Sequence, residues 1–151
     1  MIVAVDAASR TGLAVLDPST GAAWVASGRY AHGPTAQAVL TGATHVAVEQ
    51  PYVSPRNPSS GLKVAKAAGV WEDVARSLGA AVVSVSAQKW RRPLGCATMP
   101  RAKAKAAVVR RMHTVYGVHL DEDQADALGL LLWLCSSIGI DAPSSVTVRQ
   151  L

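Results

Sequence analysis

The chain has 151 residues, half of them hydrophobic, and carries a net charge of +5 with a pI near 9.6. That length suits one domain, residues 1–151, with its own core, and the apolar fraction excludes a disordered chain. No basic segment leads into a long apolar run at the N-terminus, and the most apolar late stretch, Leu128 to Cys135, is too short to span a bilayer, so neither a signal peptide nor a membrane anchor is expected.

Residues 1–6 read as a buried strand, Met1-Ile2-Val3-Ala4-Val5, that stops on an acid, Asp6. A small-residue turn over 7–12 leads to a second strand, Leu13 to Leu16, closed by the turn signal Asp17-Pro18-Ser19-Thr20-Gly21. A third strand, Ala22 to Ser27, completes a three-strand antiparallel meander. Gly33-Pro34 breaks the chain, and 35–42 suits a short helix. His45 to Glu49 repeats the first pattern, an apolar strand ending on an acid. Pro51 to Pro58 is a proline-rich loop. Ser59 or Ser60 can cap a helix running to about Leu78, with Leu62, Ala65, Ala68 or Gly69, Trp71 or Val70, Val74 and Leu78 on its apolar side. Its small residues Ala65, Ala67, Ala68 and Gly69 leave room for the sheet or for a second subunit. Ala80 to Val85 form a fifth strand, and 86–98 are basic and irregular. From Pro100 a helix runs to about Tyr116, turning Ala104, Val108, Met112 and Val115 inward, and Gly117 ends it. Asp121 caps the last helix, with Gln124 three positions on, and that helix reaches about Ile138. The tail from Asp141 reads as a loosely docked end. The sum is an α/β fold, a five-stranded mixed sheet flanked by helices.

Charge is unevenly spread. Between Lys89 and Arg111 stand eight basic residues (Lys89, Arg91, Arg92, Arg101, Lys103, Lys105, Arg110 and Arg111) and no acid. Asp121, Glu122, Asp123 and Asp126 cluster just after them. A basic block beside an acidic cluster suits a metal-dependent enzyme acting on a polyanion, although a solvated helix face is the plainer reading of the block alone. Cys96 and Cys135 stand far apart without CxxC spacing and read as reduced structural thiols.

The acids carry the chemistry. An unpaired buried carboxylate is costly, so an acid ending an apolar strand implies a cation beside it. Asp6 and Glu49 are two such acids, and Asp123 and Asp126, three apart near a helix start, share one face. Read as one site, these four could hold two Mg²⁺ ions about 4 Å apart, because hard cations take oxygen ligands and leave positions for phosphate. Singly, each has a plainer reading: a strand-end acid bonded to turn amides for Asp6, an exposed loop position for Glu49, a favourable helix dipole for Asp123 and Asp126. Asp121 and Glu122 take that last role. His119, four before Asp123, could reach the site, and His113 lies nearby; a loop position is the ordinary reading. No Ser-His-Asp order, P-loop, GxGxxG or HExxH competes.

Ile2-Val3-Ala4-Val5-Asp6 with Ser9-Arg10-Thr11-Gly12, then Val46-Ala47-Val48-Glu49-Gln50, then Asp123-Gln124-Ala125-Asp126-Ala127-Leu128 resemble, in order and spacing, the RuvC family of Holliday junction resolvases. The resemblance runs to about Leu134, and Asn57-Pro58-Ser59 through Gly79 is similar to the family's long central helix. It implies an RNase H-like fold, a homodimer, and Mg²⁺- or Mn²⁺-dependent paired nicking of a four-way DNA junction, with two ions per active site; the small-residue face of helix 59–78 is the candidate interface, unless it packs only on its own sheet. By residue, it places Asp6, Glu49, Asp123 and Asp126 on the metal-binding catalytic acids and Tyr52 on an aromatic that stacks into the opened junction. Arg91 falls near one basic position and Lys103 or Lys105 near another; with Arg10, Lys89, Arg92 and Arg101 they make the expected nucleic-acid contacts. The expected place of work is the cytoplasm of a bacterial or phage-infected cell. Two departures stand out: Ala7-Ala8 follows the first Asp where the family has Pro-Gly or a similar pair, and the segment before Glu49 is short.

Two other readings use the same residues: a ribonuclease H-type enzyme on RNA–DNA hybrids, and a non-catalytic branched-DNA-binding module. The second conflicts with four acids that repel DNA unless cations bind. An actin-like or sugar-kinase ATPase also begins with an apolar strand and an Asp, but it needs a duplicated second domain.

Overall fold

The computed structural model describes residues 1–53, 55 and 58–151. The expected loop over 51–58 and the Asn57-Pro58-Ser59 motif therefore fall partly outside the described residues, at Ser54, Arg56 and Asn57. Six strands form one sheet: β1 (Ile2–Asp6), β2 (Thr11–Asp17), β3 (Ala22–Gly28), β4 (His45–Glu49), β5 (Ala81–Val85) and β6 (Ser145–Val148), in the spatial order β5-β4-β1-β2-β3-β6. β1, β2 and β3 are the antiparallel meander, while β4 pairs parallel with β1 and β5 parallel with β4. β1 is central and its first four residues are wholly buried, which is why it reads as an unbroken apolar run.

Side-chain alternation divides the core in two. Ile2, Ala4, Ala14, Leu16, Val25 and Ala47 face one side, against helices α3 (Ala87–Arg91), α4 (Arg101–Tyr116) and α5 (Glu122–Ile138). Val3, Val5, Leu13, Val15, Val46 and Val48 face the other, under α1 (His32–Leu40) and α2 (Pro58–Ser77). Trp71 of α2, fully buried, donates its indole N–H to His32 Nδ1 at 3.2 Å and ties α2 to the start of α1. Each such buried side chain stabilises the fold by about 1.5–3 kcal/mol relative to leaving it in water. Asp6 and Glu49 have the alternation of Ala4 and Ala47, so both point to the α5 side. In register they follow the pair Val5↔Val48 by one step and end side by side.

α5 is the helix that the sheet is built to receive. Asp121 caps it: its carboxylate accepts from the Gln124 amide at 2.8 Å, and Gln124 Oε1 accepts from the Asp121 amide at 3.1 Å, the expected capping box. Every residue from Gln124 to Leu131 is buried. Gly117 and Gly139, both in the left-handed region, close α4 and α5. α5 lies so near β2 that a Cβ on Gly12 would run into the Asp123 carbonyl group. No described helix is long and apolar enough to cross a membrane.

The structure departs from the sequence reading in five places. Gly33-Pro34 does not break the chain before a helix over 35–42 but lies in the first turn of α1, where proline is tolerated. The tail is not loosely docked: β6 adds a sixth strand, pairing parallel with β3 and burying Val146. The stretch 86–98 is not wholly irregular, since α3 and a 3₁₀ turn over Arg92–Leu94 occupy most of it. Val115 does not turn inward and is 53 % exposed. On α2 the buried side is Gly61, Ala67, Ala68, Trp71 and Ala75, while Leu62 and Val70 lie on the surface. Cys96 and Cys135 are free and buried, and burial pushes the Cys135 thiol up to about 11.

Because the Gly12 contact is with backbone, Gly12→Ala must push the first turn of α5 away from β2. Urea unfolding should show a loss of about 1–3 kcal/mol, and an unchanged midpoint would mean that the close approach is not needed.

Candidate active site

Three elements deliver the acids. β1 and β4 run parallel and end together, carrying Asp6 and Glu49, and the N-terminal end of α5 lies beyond them with Asp123 in its first turn and Asp126 just after it. The carboxyl ends of parallel strands and a helix N-terminus are where open α/β folds place ligand sites. Burial holds the Asp6 carboxyl well above the ordinary carboxylate range, and the negative charges of Glu49, Asp126 and Asp123 push it further the same way. Burial also raises Glu49, Asp123 and Asp126. Asp6 thus lies within electrostatic reach of the other three acids expected from the sequence, and Asp126 within reach of Glu49 and Asp123.

Cations and donors surround them. Arg91 Nη2 stands 2.7 Å from Asp126 Oδ2 with both side chains buried, which opposes the upward pull of burial on Asp126. Lys105 of α4 reaches across, its Nζ 3.7 Å from Asp126 Oδ2, 3.9 Å from Asp123 Oδ1 and 3.3 Å from Glu122 Oε2. The Trp90 indole N–H donates to Glu49 Oε2 at 2.8 Å. On the rim, Arg10 bridges Asp121 Oδ2 at 2.9 Å and Asp123 Oδ2 at 3.2 Å. Burial pushes Asp121 up, but hydrogen bonds from Ser27, the Gln124 amide and Arg10 win and hold it below its usual value. The Arg91–Asp126 pair is the costly one to break, because removing one partner of a buried pair commonly costs about 3–5 kcal/mol; the Arg10 contacts, largely exposed, contribute far less.

The basic residues separate into two groups. Lys89, Arg92, Arg101 and Lys103 are exposed, as surface contacts for a polyanion must be. Arg91 lies buried inside the acid cluster, Lys105 is turned onto acids, and Arg10 pairs with Asp121 and Asp123 while its side chain stays half exposed. Tyr52 is 79 % exposed just past β4, and Gly61 lets the neighbouring Val53 pack on the start of α2, where a Cβ would come within 2.7 Å of the Val53 Cα. His113 and His119 stack on each other, ring centroids 4.5 Å apart, both on the surface. Sequence reasoning missed Trp90, Gly12 and Gly129. A glycine inside a strand is the available signal for Gly12; nothing in the local pattern marks Trp90.

Among the described residues no three His, Cys, Asp or Glu side chains form a ready-made metal group. The donor chemistry nonetheless fits a hard cation: four clustered carboxylates, and a buried Asp126 Oδ1 without a hydrogen-bond partner. Arg91 and Lys105 supply positive charge in the same place.

The raised carboxyls make the folded chain bind protons more tightly than the unfolded one. The resulting stabilisation is full below the ordinary carboxylate range and is lost as pH rises through the raised values, so metal-free protein should gain stability as pH falls from neutrality towards the ordinary carboxylate range. Asp6→Asn should remove much of this dependence and raise the melting temperature at neutral pH, by about 2–4 °C for each kcal/mol of repulsion relieved. Thermal unfolding of both proteins across that range is the check. A neutral-pH melting temperature below wild type would mean that the Asp6 charge stabilises the fold.

No family model and no curated protein sequence matches the chain. Solved structures do. A structure of Thermus thermophilus RuvC aligns with a TM-score of 0.66 at 17 % identity, covering 94 % of this chain and 98 % of that one. Thermus thermophilus RuvC in complex with a Holliday junction substrate aligns with a TM-score of 0.65 at 17 % identity, covering 95 % and 99 %. At that identity the likeness is one of fold, and it agrees with the meander-plus-parallel sheet order: the chain has a RuvC-like, RNase H-like fold.

Proposed function

We propose that this chain is a single-domain (residues 1–151) endodeoxyribonuclease that resolves four-way DNA junctions by paired nicking. The observation that carries the reading is the convergence of Asp6, Glu49, Asp123 and Asp126 at one end of the sheet in a RuvC-like fold. A four-way junction as substrate is supported by the likeness to a RuvC structure that holds one.

In this reading Asp6, Glu49, Asp123 and Asp126 hold Mg²⁺ or Mn²⁺, two ions per site. When bound, the ions supply a water of lowered pKa and neutralise charge on the leaving oxygen. The chain's own residues do the rest. Arg91 and Lys105 keep the acid cluster from repelling itself before the ions and DNA arrive. Lys89, Arg92, Arg101 and Lys103 take phosphates, so affinity falls steeply with salt. Tyr52 offers an exposed ring to an unstacked base, and Arg10 sits at the rim to meet the backbone. A homodimer through α2, whose exposed Leu62 and Val70 flank the open side of Gly69, sets two sites on two strands. The work belongs in the cytoplasm of a bacterial or phage-infected cell.

The experiment is cleavage with Mg²⁺ or Mn²⁺ of a four-way junction, a fork, a linear duplex and an RNA–DNA hybrid, with Asp6→Asn alongside. Paired symmetric nicks in the junction alone, absent in the variant but with junction binding kept, are expected. Cutting of the hybrid alone would move the chain to the ribonuclease H reading, and binding without any cutting would leave a branched-DNA-binding module.

Tyr52→Ala should slow junction cleavage about 5- to 150-fold, the equivalent of about 1–3 kcal/mol of base stacking; a wild-type single-turnover rate would remove Tyr52 from the mechanism. Light scattering should return twice the 15.7 kDa chain mass, and a monomer mass with and without DNA would refute the dimer.

A further inference from the structure

One short helix binds two of the four acids. Trp90 and Arg91 are consecutive on α3, a helix of five residues, yet they bind carboxylates from different elements: Trp90 binds Glu49 of β4 and Arg91 binds Asp126 of α5. Trp90 is fully buried. Its ring lies on Gly129 of α5, where an added Cβ would come within 2.7 Å of Trp90 Cζ3, so the bare glycine surface gives the indole its place. The Arg91 guanidinium carbon stands 4.7 Å from the centre of the same ring. The indole is thus fixed on one side by α5 and on another by its neighbour, and its single N–H has one partner, Glu49 Oε2.

The two donors differ in charge, and that difference matters. A guanidinium on a carboxylate competes with any cation that the carboxylate is to hold. A neutral N–H orients the carboxylate and leaves its charge available. Donors that hold a metal ligand from behind fix its orientation, and their loss costs metal affinity while the ligands remain.

We propose that Trp90 is a positioning residue for Glu49: its indole N–H holds Oε2 and leaves Oε1 as the oxygen presented to a cation. This rests on the reading of Glu49 as a metal ligand. If Trp90 only fills the core, any ring of similar size serves as well, and removing the N–H alone changes nothing at Glu49.

The test compares Mn²⁺ binding by full-length wild type, Trp90→Phe and Glu49→Ala, read from the free-ion resonance signal in the absence of DNA. Glu49→Ala should bind Mn²⁺ far more weakly than wild type. Trp90→Phe, with a far-ultraviolet dichroism spectrum unchanged, should bind about 10–100-fold more weakly. Trp90→Phe within about twofold of wild type, while Glu49→Ala has lost binding, overturns the role of Trp90 and leaves the site reading intact. Glu49→Ala binding as wild type does overturns both. Should Trp90→Phe fail to fold, the wild-type protein decides: its Trp90 indole N–H resonance should shift in a Mg²⁺ titration and should lie at a different position in Glu49→Ala. A resonance unmoved by both overturns the proposal.

Discussion

Four carboxylates at one end of a sheet repel each other, and much of the surrounding structure answers that repulsion. Taking charges out of water costs several kcal/mol per ion, and like charges side by side add to it. A fold selected for stability alone would place apolar residues there. Instead Arg91 is buried against Asp126, Lys105 reaches over from α4 to the acids of α5, and Trp90 satisfies one oxygen of Glu49. The compensation is partial: Asp6 still sits well above the ordinary carboxylate range, and Asp126 Oδ1 has no partner. Local rules broken in one place and supported from several sides are the mark of a functional site.

The cluster depends on close approach as much as on charge. Asp6 and Glu49 come together because β1 and β4 are parallel neighbours in a register that ends them side by side. Asp123 and Asp126 join them because α5 can settle against β2, which Gly12 permits, and because the capping box fixes where the helix begins. Gly129 does the same for Trp90 one turn further along. Two glycines without left-handed backbone, each facing a neighbouring element at contact distance, set the positions of side chains that do the chemistry.

The elements bearing the acids were legible in the sequence for physical reasons. A wholly apolar strand such as β1 has no place but the centre of a sheet, and an acid at its end stands out. The Asp121–Gln124 capping box marks the start of α5 to the residue. The remainder was hidden for equally physical reasons. β6 is short, and its alternation of Ser145 and Thr147 with Val146 and Val148 resembles a polar tail. α3 lies in a basic block without periodicity, so neither the helix nor the burial of Trp90 was visible, and Arg91 looked like its exposed neighbours. On α2, apolar residues occur all round the helix, so the pattern admitted Leu62 and Val70 to a core side on which Ala67, Ala68 and Ala75 alone leave room for the sheet. Those two exposed side chains bear on the proposed dimer.

The proposed function requires the acid cluster to bind cations. The most direct measurement of that binding is an anomalous difference map from a crystal of the protein soaked in Mn²⁺. One or two peaks bounded by Asp6, Glu49, Asp123 and Asp126 are expected, with the Arg91 or Lys105 side chain drawn away from the acids that the ions take. A map without peaks there, at a concentration that supports cleavage, would contradict the proposed function and leave the acids as partners of Arg91, Lys105 and Arg10 alone.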